Sequence, residues 1–215
     1  VYLVPVSTAA IAHVVPHISL AEAYPTSPLN TADFDVSLDA VLWAPTAEGE
    51  GTLLVAVDWA PSAPPVTVLV GPLVQGENTV HVTLPKASQV ALWWPLGMGK
   101  QAMYQVNVSF TSQAGVRSWA TRQVGFRHAV LVTADDTDPA ALEGVDGTGE
   151  LTMRWKVNGA DMMSFGANMI PMEEMEGRQT TMAYEQLLAN AAAANENTLR
   201  VWGGGLFLPE VFYDT

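Results

Sequence analysis

The sequence predicts an antiparallel β-sandwich of immunoglobulin type followed by the opening of a larger α/β domain, of the kind that begins a (β/α)8 barrel. Three observations carry this. Seven short segments between Asp33 and Phe126 show strand character and are separated by Gly, Pro, Asn or Ser. The two-residue period ends after Arg127. The last 60 residues then read as strand, helix, strand and helix start, the order of a βαβ unit whose strands lie parallel.

Residues 1–20 are apolar with two prolines and end in Tyr24-Pro25-Thr26-Ser27-Pro28, a strand followed by a linker. In Asp33-Phe34-Asp35-Val36-Ser37-Leu38-Asp39-Ala40, apolar residues alternate with Asp or Ser, the pattern of a strand with one face in the core and one in solvent. Strands are expected at Thr52 to Trp59, Val66 to Val70, Thr79 to Leu84, Val90 to Trp94, Met103 to Phe110 and Ser118 to Phe126, with tryptophans and aliphatic residues filling the core. There is no cysteine, so no disulfide supports it.

Ala129 to Val132 continues extended, and Thr133 to Gly149 is an acidic loop. Leu151 to Val157 and Met162 to Phe165 read as a hairpin turned at Asn158-Gly159, the strongest short hairpin signal. Thr180 to Asn195 is alanine-rich, with Tyr184, Leu187, Leu188, Ala191 and Ala192 at helical spacing, and Leu199 to Trp202 is a short strand. Two parallel strands alone leave both sheet edges unpaired, so this unit calls for further strands. Pro209 to Thr215 reads as the first turns of a helix, and both ends of the chain read as cut.

The formal charge of −13, with no Lys/Arg cluster, excludes binding to nucleic acid or anionic membranes. No apolar stretch reaches the roughly 20 residues of a membrane-spanning helix. Asn107-Val108-Ser109 matches a glycosylation acceptor but lies within a strand segment. The glycine triplet Gly203-Gly204-Gly205 lacks the further glycine of a dinucleotide loop, Leu208 standing in its place, and the Gly-Lys-Ser/Thr of a P-loop. His13 and His17 flank Pro16 in a strand-like run, and Asp135, Asp136 and Asp138 lack the glycine and glutamate spacing of a calcium loop. No metal site and no cofactor are expected. Glu173, Glu174 and Glu176 sit too close together on one segment to converge across a substrate and read as a surface cluster.

Asn197-Thr198-Leu199-Arg200-Val201-Trp202-Gly203-Gly204-Gly205 is different. On a parallel strand, Arg200 and Trp202 share a face and stand at the carboxyl end, where ligands bind in α/β folds. Arginine suits a carboxylate and an indole suits the apolar face of a sugar ring. A buried ion pair beside a core tryptophan accounts for the same residues equally well.

Read in order, Leu92-Trp93-Trp94-Pro95-Leu96-Gly97-Met98-Gly99 with Gln101 and Tyr104, Val124-Gly125-Phe126-Arg127, Lys156-Val157-Asn158-Gly159, Gly166-Ala167-Asn168-Met169-Ile170-Pro171 and the Arg200 segment resemble the β-mannosidases of glycoside hydrolase family 2. The resemblance implies that residues 1–22 are the tail of an amino-terminal sugar-binding β-domain and linker. It makes 23–128 an immunoglobulin-like sandwich and 129–215 the first βα units of the catalytic barrel. It implies a retaining mechanism with two glutamates contributed by later barrel strands, so that no catalytic residue falls in this chain and the chain alone is inactive. Arg200 would stand beside the nucleophile, Trp202 would line the terminal-mannose subsite and Asn168 would stand at the end of the first barrel strand. Trp93 and Trp94 would pack the sandwich. The partners implied are a β-mannoside or glycan and the remaining domains of the parent protein, in a lysosomal or secretory setting. Two departures stand out: the family usually has tryptophan at Met169 and glutamate at Leu208, changes expected to leave the pocket less aromatic and less polar. The alternative is a non-catalytic carbohydrate-binding or protein-interaction module.

Overall fold

A computed structural model describes residues 5–133, 153–173, 175–205 and 207–214. The expected acidic loop, with Asp135, Asp136 and Asp138, lies outside the described residues apart from Thr133, as do Leu151, Thr152 and Glu174. The chain divides into two compact units. The first comprises residues 1–23, 30–92 and 102–126, the second 24–29, 93–101 and 127–215.

The first unit is all antiparallel. One sheet holds β1 (Ala10–Leu20), β2 (Thr31–Ala44) and β5 (Gly76–Thr83) in that order, with β6 (Ala87–Ala91) also paired to β2. The other has the order β4 (Val66–Val70), β3 (Gly51–Val57), β7 (Tyr104–Ser112), β8 (Arg117–Val124). The alternation read in Asp33 to Ala40 is realised: Phe34, Val36, Leu38 and Ala40 are buried. Residues 1–22 were expected as a separate tail, but β1 pairs with β2 from Ala10↔Trp43 to Leu20↔Phe34. Ala10–Leu20 is therefore a strand of the sandwich. The strand read from the residues is present, and Pro16 is tolerated because β1 is an edge strand whose other side needs no donor.

The core also departs from expectation. Of the sandwich tryptophans, Trp59 is buried and its indole N–H donates to the Pro85 carbonyl at 3.0 Å, whereas Trp43 and Trp119 are exposed. The centre is Phe126, fully buried, with Phe34, Trp59 and Tyr104 at ring-centroid distances of 5.2, 5.3 and 5.1 Å. The last two meet it edge to face, the arrangement favoured by ring quadrupoles. On the solvent face, Asp39 accepts from His81 Nδ1 at 2.8 Å and lies 3.0 Å from His17 Nε2, contacts that hold its carboxyl below the usual range.

In the second unit β9 (Ala129–Val132), β10 (Arg154–Val157) and β11 (Ala160–Met162) form a three-stranded antiparallel sheet. The hairpin turns as the sequence indicates: Val157 faces Ala160, and Asn158 and Gly159 both have positive φ, 48° and 79°. Asn158 does more than turn. Fully buried, its carboxamide donates to the Trp93 carbonyl at 2.9 Å and accepts from the His128 N–H at 2.9 Å. Its backbone N–H donates to the His128 carbonyl at 2.7 Å and its carbonyl accepts from Leu29 N–H at 2.9 Å. A Cβ on Gly159 would collide with the Ser27 carbonyl. Trp93 and Trp94 were expected to pack the sandwich; instead they belong to this second unit. Trp93 bridges Gln101 and carries the Arg127 guanidinium 4.6 Å above its ring, a use of indole that residue type alone does not reveal.

The strand expected over Met162 to Phe165 ends early, at Met162, and a separate strand, β12 (Gly166–Met169), follows. It pairs in parallel with β13 (Thr198–Val201), and α1 (Thr181–Ala193) connects them. Thr180 caps α1 by accepting from Ala183 N–H at 3.3 Å. Tyr184 is the buried anchor of α1, hydrogen-bonded to Gln179 and edge-on to Phe212 of α2 (Glu210–Asp214) at 6.2 Å. Its burial pushes the phenol pKa up. The βαβ order expected from the sequence is present, while the described strands extend to no closed barrel.

Asn158→Ala removes two hydrogen bonds and strands a buried carbonyl and amide, so it is expected to cost about 3 kcal/mol in urea denaturation. His128 gives a pH signature. Its Nε2 is buried without a hydrogen-bond partner among the described residues, and burial lowers its pKa below 6.5. The unfolded chain therefore binds the proton more readily, and stability is full above that value and falls as pH drops through 6.5 toward the depressed folded value. The denaturation midpoint is expected to decrease between about pH 7 and 5, and the decrease to shrink in His128→Gln.

Candidate functional site

The candidate residues converge on the carboxyl ends of β12 and β13. The parallel register sets Asn168 directly beside Arg200, and Arg200 Nη1 donates to Asn168 Oδ1 at 3.2 Å. Both side chains are exposed and line a shallow cleft of about 230 Å³ with Ser164, Gly166, Ala167 and Thr198. The ion pair of the structural alternative is absent: among the described residues no carboxylate pairs with Arg200, whose contact is a neutral carboxamide. A guanidinium has five N–H donors, so one bond to Asn168 orients it while leaving donors for an anion.

The register is set by contacts at the other end of the two strands. Asn197, just before β13, accepts from Phe165 N–H at 2.9 Å and donates to the Met163 carbonyl at 3.0 Å through its carboxamide. Its backbone N–H donates to the Phe165 carbonyl at 2.9 Å. Gly166 follows, and a Cβ there would overlap the Thr198 carbonyl, so only glycine permits this approach. Asn197 was read only as part of the motif; a polar residue directly before a short apolar strand was the available signal.

Trp202 lies one residue past β13, its N–H donating to the Met169 carbonyl at 3.0 Å. It is 47% exposed and lines a second cleft of about 560 Å³ with Val201, Gly203, Gly205, Phe207 and Tyr213. Arg200 and Trp202 thus border different clefts, because the strand alternation ends at Val201. The Gly205 N–H closes a turn onto the Trp202 carbonyl at 3.2 Å. None of the triplet needs a left-handed backbone. A Cβ on Gly204, however, would sit 2.5 Å from the indole ring, so this glycine makes room for Trp202.

Met169 is buried, 8% exposed, and faces away from the cleft that its neighbour Asn168 lines. Its departure from tryptophan therefore bears on packing and does not strip an aromatic from that cleft. Glu173 bonds locally, accepting from Met175 N–H at 3.4 Å and lying 3.9 Å from Arg178 Nη1. Among the described residues no group of His, Asp and Glu is placed to hold a metal ion, and no helix is long and apolar enough to cross a membrane.

No family model matches the chain. Individual relatives do. Beta-mannosidase A of Aspergillus terreus is 38% identical over 135 residues, 62% of this chain and 14% of that protein. Beta-mannosidase of Capra hircus is 36% identical over 141 residues, 65% of this chain and 15% of that protein. The chain is similar to β-mannosidases over 62–65% of its own length. It spans about one seventh of the length of these relatives. Its fold matches solved glycosidases: the β-D-mannosidase of Dictyoglomus thermophilum has a TM-score of 0.65 at 22% identity, over 96% of this chain and 23% of that one. An exo-chitosanase of Amycolatopsis orientalis has a TM-score of 0.65 at 19% identity, over 95% and 21%.

Asn197→Ala is expected to cost about 1–2 kcal/mol, because the bonds it loses are solvent-accessible. Amide hydrogen exchange should speed up at Phe165 and Thr198 before it does at the α1 amides.

Proposed function

We propose that this chain is part of a retaining glycoside hydrolase acting on terminal β-mannosides, and that residues 129–215 open its catalytic barrel. The observation that carries the reading is Arg200 oriented by Asn168 at the ends of two parallel strands, in a chain homologous to β-mannosidases. Substrates of barrel enzymes bind at that end of the strands.

The chemistry requires two carboxyl groups about 5–5.5 Å apart, one attacking the anomeric carbon and one protonating the leaving oxygen. The clefts described here offer no such pair. The reading assigns both glutamates to the part of the relatives' length that this chain does not span. Arg200 would then face the nucleophile. A fixed positive charge favours its ionised form before reaction and costs no reorganisation as the bond forms. Asn168 would hold the guanidinium in place and retain its amide N–H groups for a sugar hydroxyl. Trp202 would provide a stacking surface for the pyranose. Since Trp202 lines its own cleft, the ring would lie against one wall and its anomeric carbon toward the other.

The test is hydrolysis of p-nitrophenyl β-mannoside. A longer protein that includes the remaining barrel strands should turn it over and this chain alone should not. In the longer protein Arg200→Ala should lower kcat by about 100-fold. A near-normal rate would reduce Arg200 to a structural residue.

A further inference from the structure

The outward face of the sheet β4-β3-β7-β8 carries chemistry that the Arg200 cleft does not use. Its inward residues Val106, Val108 and Phe110 are buried in the sandwich, so by alternation Gln105, Asn107, Ser109 and Thr111 of β7 point outward. Trp119 of β8 stands opposite Ser109 and is 77% exposed. An indole this exposed buries little area and adds little to the stability of the sandwich.

The surroundings of Trp119 are polar and organised. Thr121 Oγ1 donates to Asn107 Oδ1 at 2.9 Å, and Asn107 Nδ2 donates to Gln105 Oε1 at 3.2 Å, forming a hydroxyl-carboxamide chain beside the ring. Beyond Ser109 on the other side, Thr111 stands opposite Arg117 and Thr52. Here the face opens into a cleft of about 530 Å³ lined by Thr52, Leu69, Thr111 and Glu50, whose carboxylate is held by Gln113. That volume is typical of small-molecule sites. In a chain of net charge −13, the outward residues of β7 and β8 contribute no acid and one base, Arg117.

We infer that this face is a second glycan-binding surface, with Trp119 as the stacking platform for a neutral β-1,4-linked hexose chain. Three features select that occupant. The outward residues of β7 and β8 include no acid and a single base, Arg117, and the groups directly flanking the indole are hydroxyls and carboxamides, which suits a neutral ligand. Its apolar groups are few, and Ser109 stands between Trp119 and Leu54, which sets the indole apart from the Leu54 and Leu69 pair. A β-1,4-linked hexose ribbon is flat and presents C–H faces flanked by hydroxyls, matching an indole flanked by hydroxyls and carboxamides on a flat sheet. The surface is independent of the Arg200 reading, and either can fail without the other.

The test is isothermal titration of the whole chain, expressed without glycosylation, with mannohexaose and with cellohexaose. Binding of at least one is expected, and Trp119→Ala should weaken it by about tenfold or more. Trp43→Ala, at an exposed indole on the other sheet of the sandwich, should leave it unchanged. The two sugars distinguish a surface selective for the mannan configuration from one that reads any flat β-1,4 chain. Absence of heat with both at millimolar concentration overturns the inference. So does unchanged affinity in Trp119→Ala, or an equal loss in Trp43→Ala. As a hydroxyl-preserving comparison, Thr67→Ser should fold and bind as the parent chain does, so a loss confined to Trp119→Ala reports the indole.

Discussion

The second unit depends on one buried carboxamide. Asn158 combines a left-handed backbone, four hydrogen bonds and complete burial, and its partners Leu29, Trp93 and His128 come from three separate stretches of chain. A buried amide group without partners costs several kcal/mol, whereas here every bond it makes also fixes a neighbour. Asparagine is the residue that can do both jobs, since it tolerates positive φ and offers a donor and an acceptor within one planar group. Gly159 then passes so close to the Ser27 carbonyl that no side chain fits, which ties residues 24–29 to the same corner. The β9-β10-β11 sheet is short, and this polar corner gives it the cohesion that a small apolar core cannot supply.

The sandwich uses the opposite strategy. Its cohesion is apolar and centres on Phe126, whose three aromatic neighbours come from β2, β7 and the segment after β3. Phe126 and Arg127 are adjacent in sequence yet belong to different units, one buried in the sandwich and one stacked on Trp93. A one-residue step thus passes the chain from a packing regime to an electrostatic one.

Much of this was legible in the sequence. Period-two alternation located β2, the turn residues located the hairpin, and alanine with helical spacing located α1, because each depends on local preference. What was not legible depended on partners distant in sequence. Nothing local distinguishes the buried Trp59 from the exposed Trp119, since burial is decided by which face the sheet pairing turns inward. β1 was legible as a strand, but its place in the sandwich depends on its ten register pairs with β2, which nothing local in residues 1–20 indicates. At the candidate site, Arg200 and Asn168 were recognisable as motif residues and the parallel register joins them. The separation of Trp202 into its own cleft was hidden because the strand ends one residue sooner than its apolar run.

Gly166 has a further consequence. Its missing methyl leaves the start of β12 and the Thr198 carbonyl at a spacing that no other residue type could keep. The position works as a gauge block: it sets the distance between two strands at one end and thereby, two residues on, the separation of the Asn168 and Arg200 side chains. The side chains at positions 168 and 200 can be exchanged while the gap beneath them stays constant. Variation is thereby channelled into the side chains and away from the frame, which is how one scaffold can be held while its selectivity drifts.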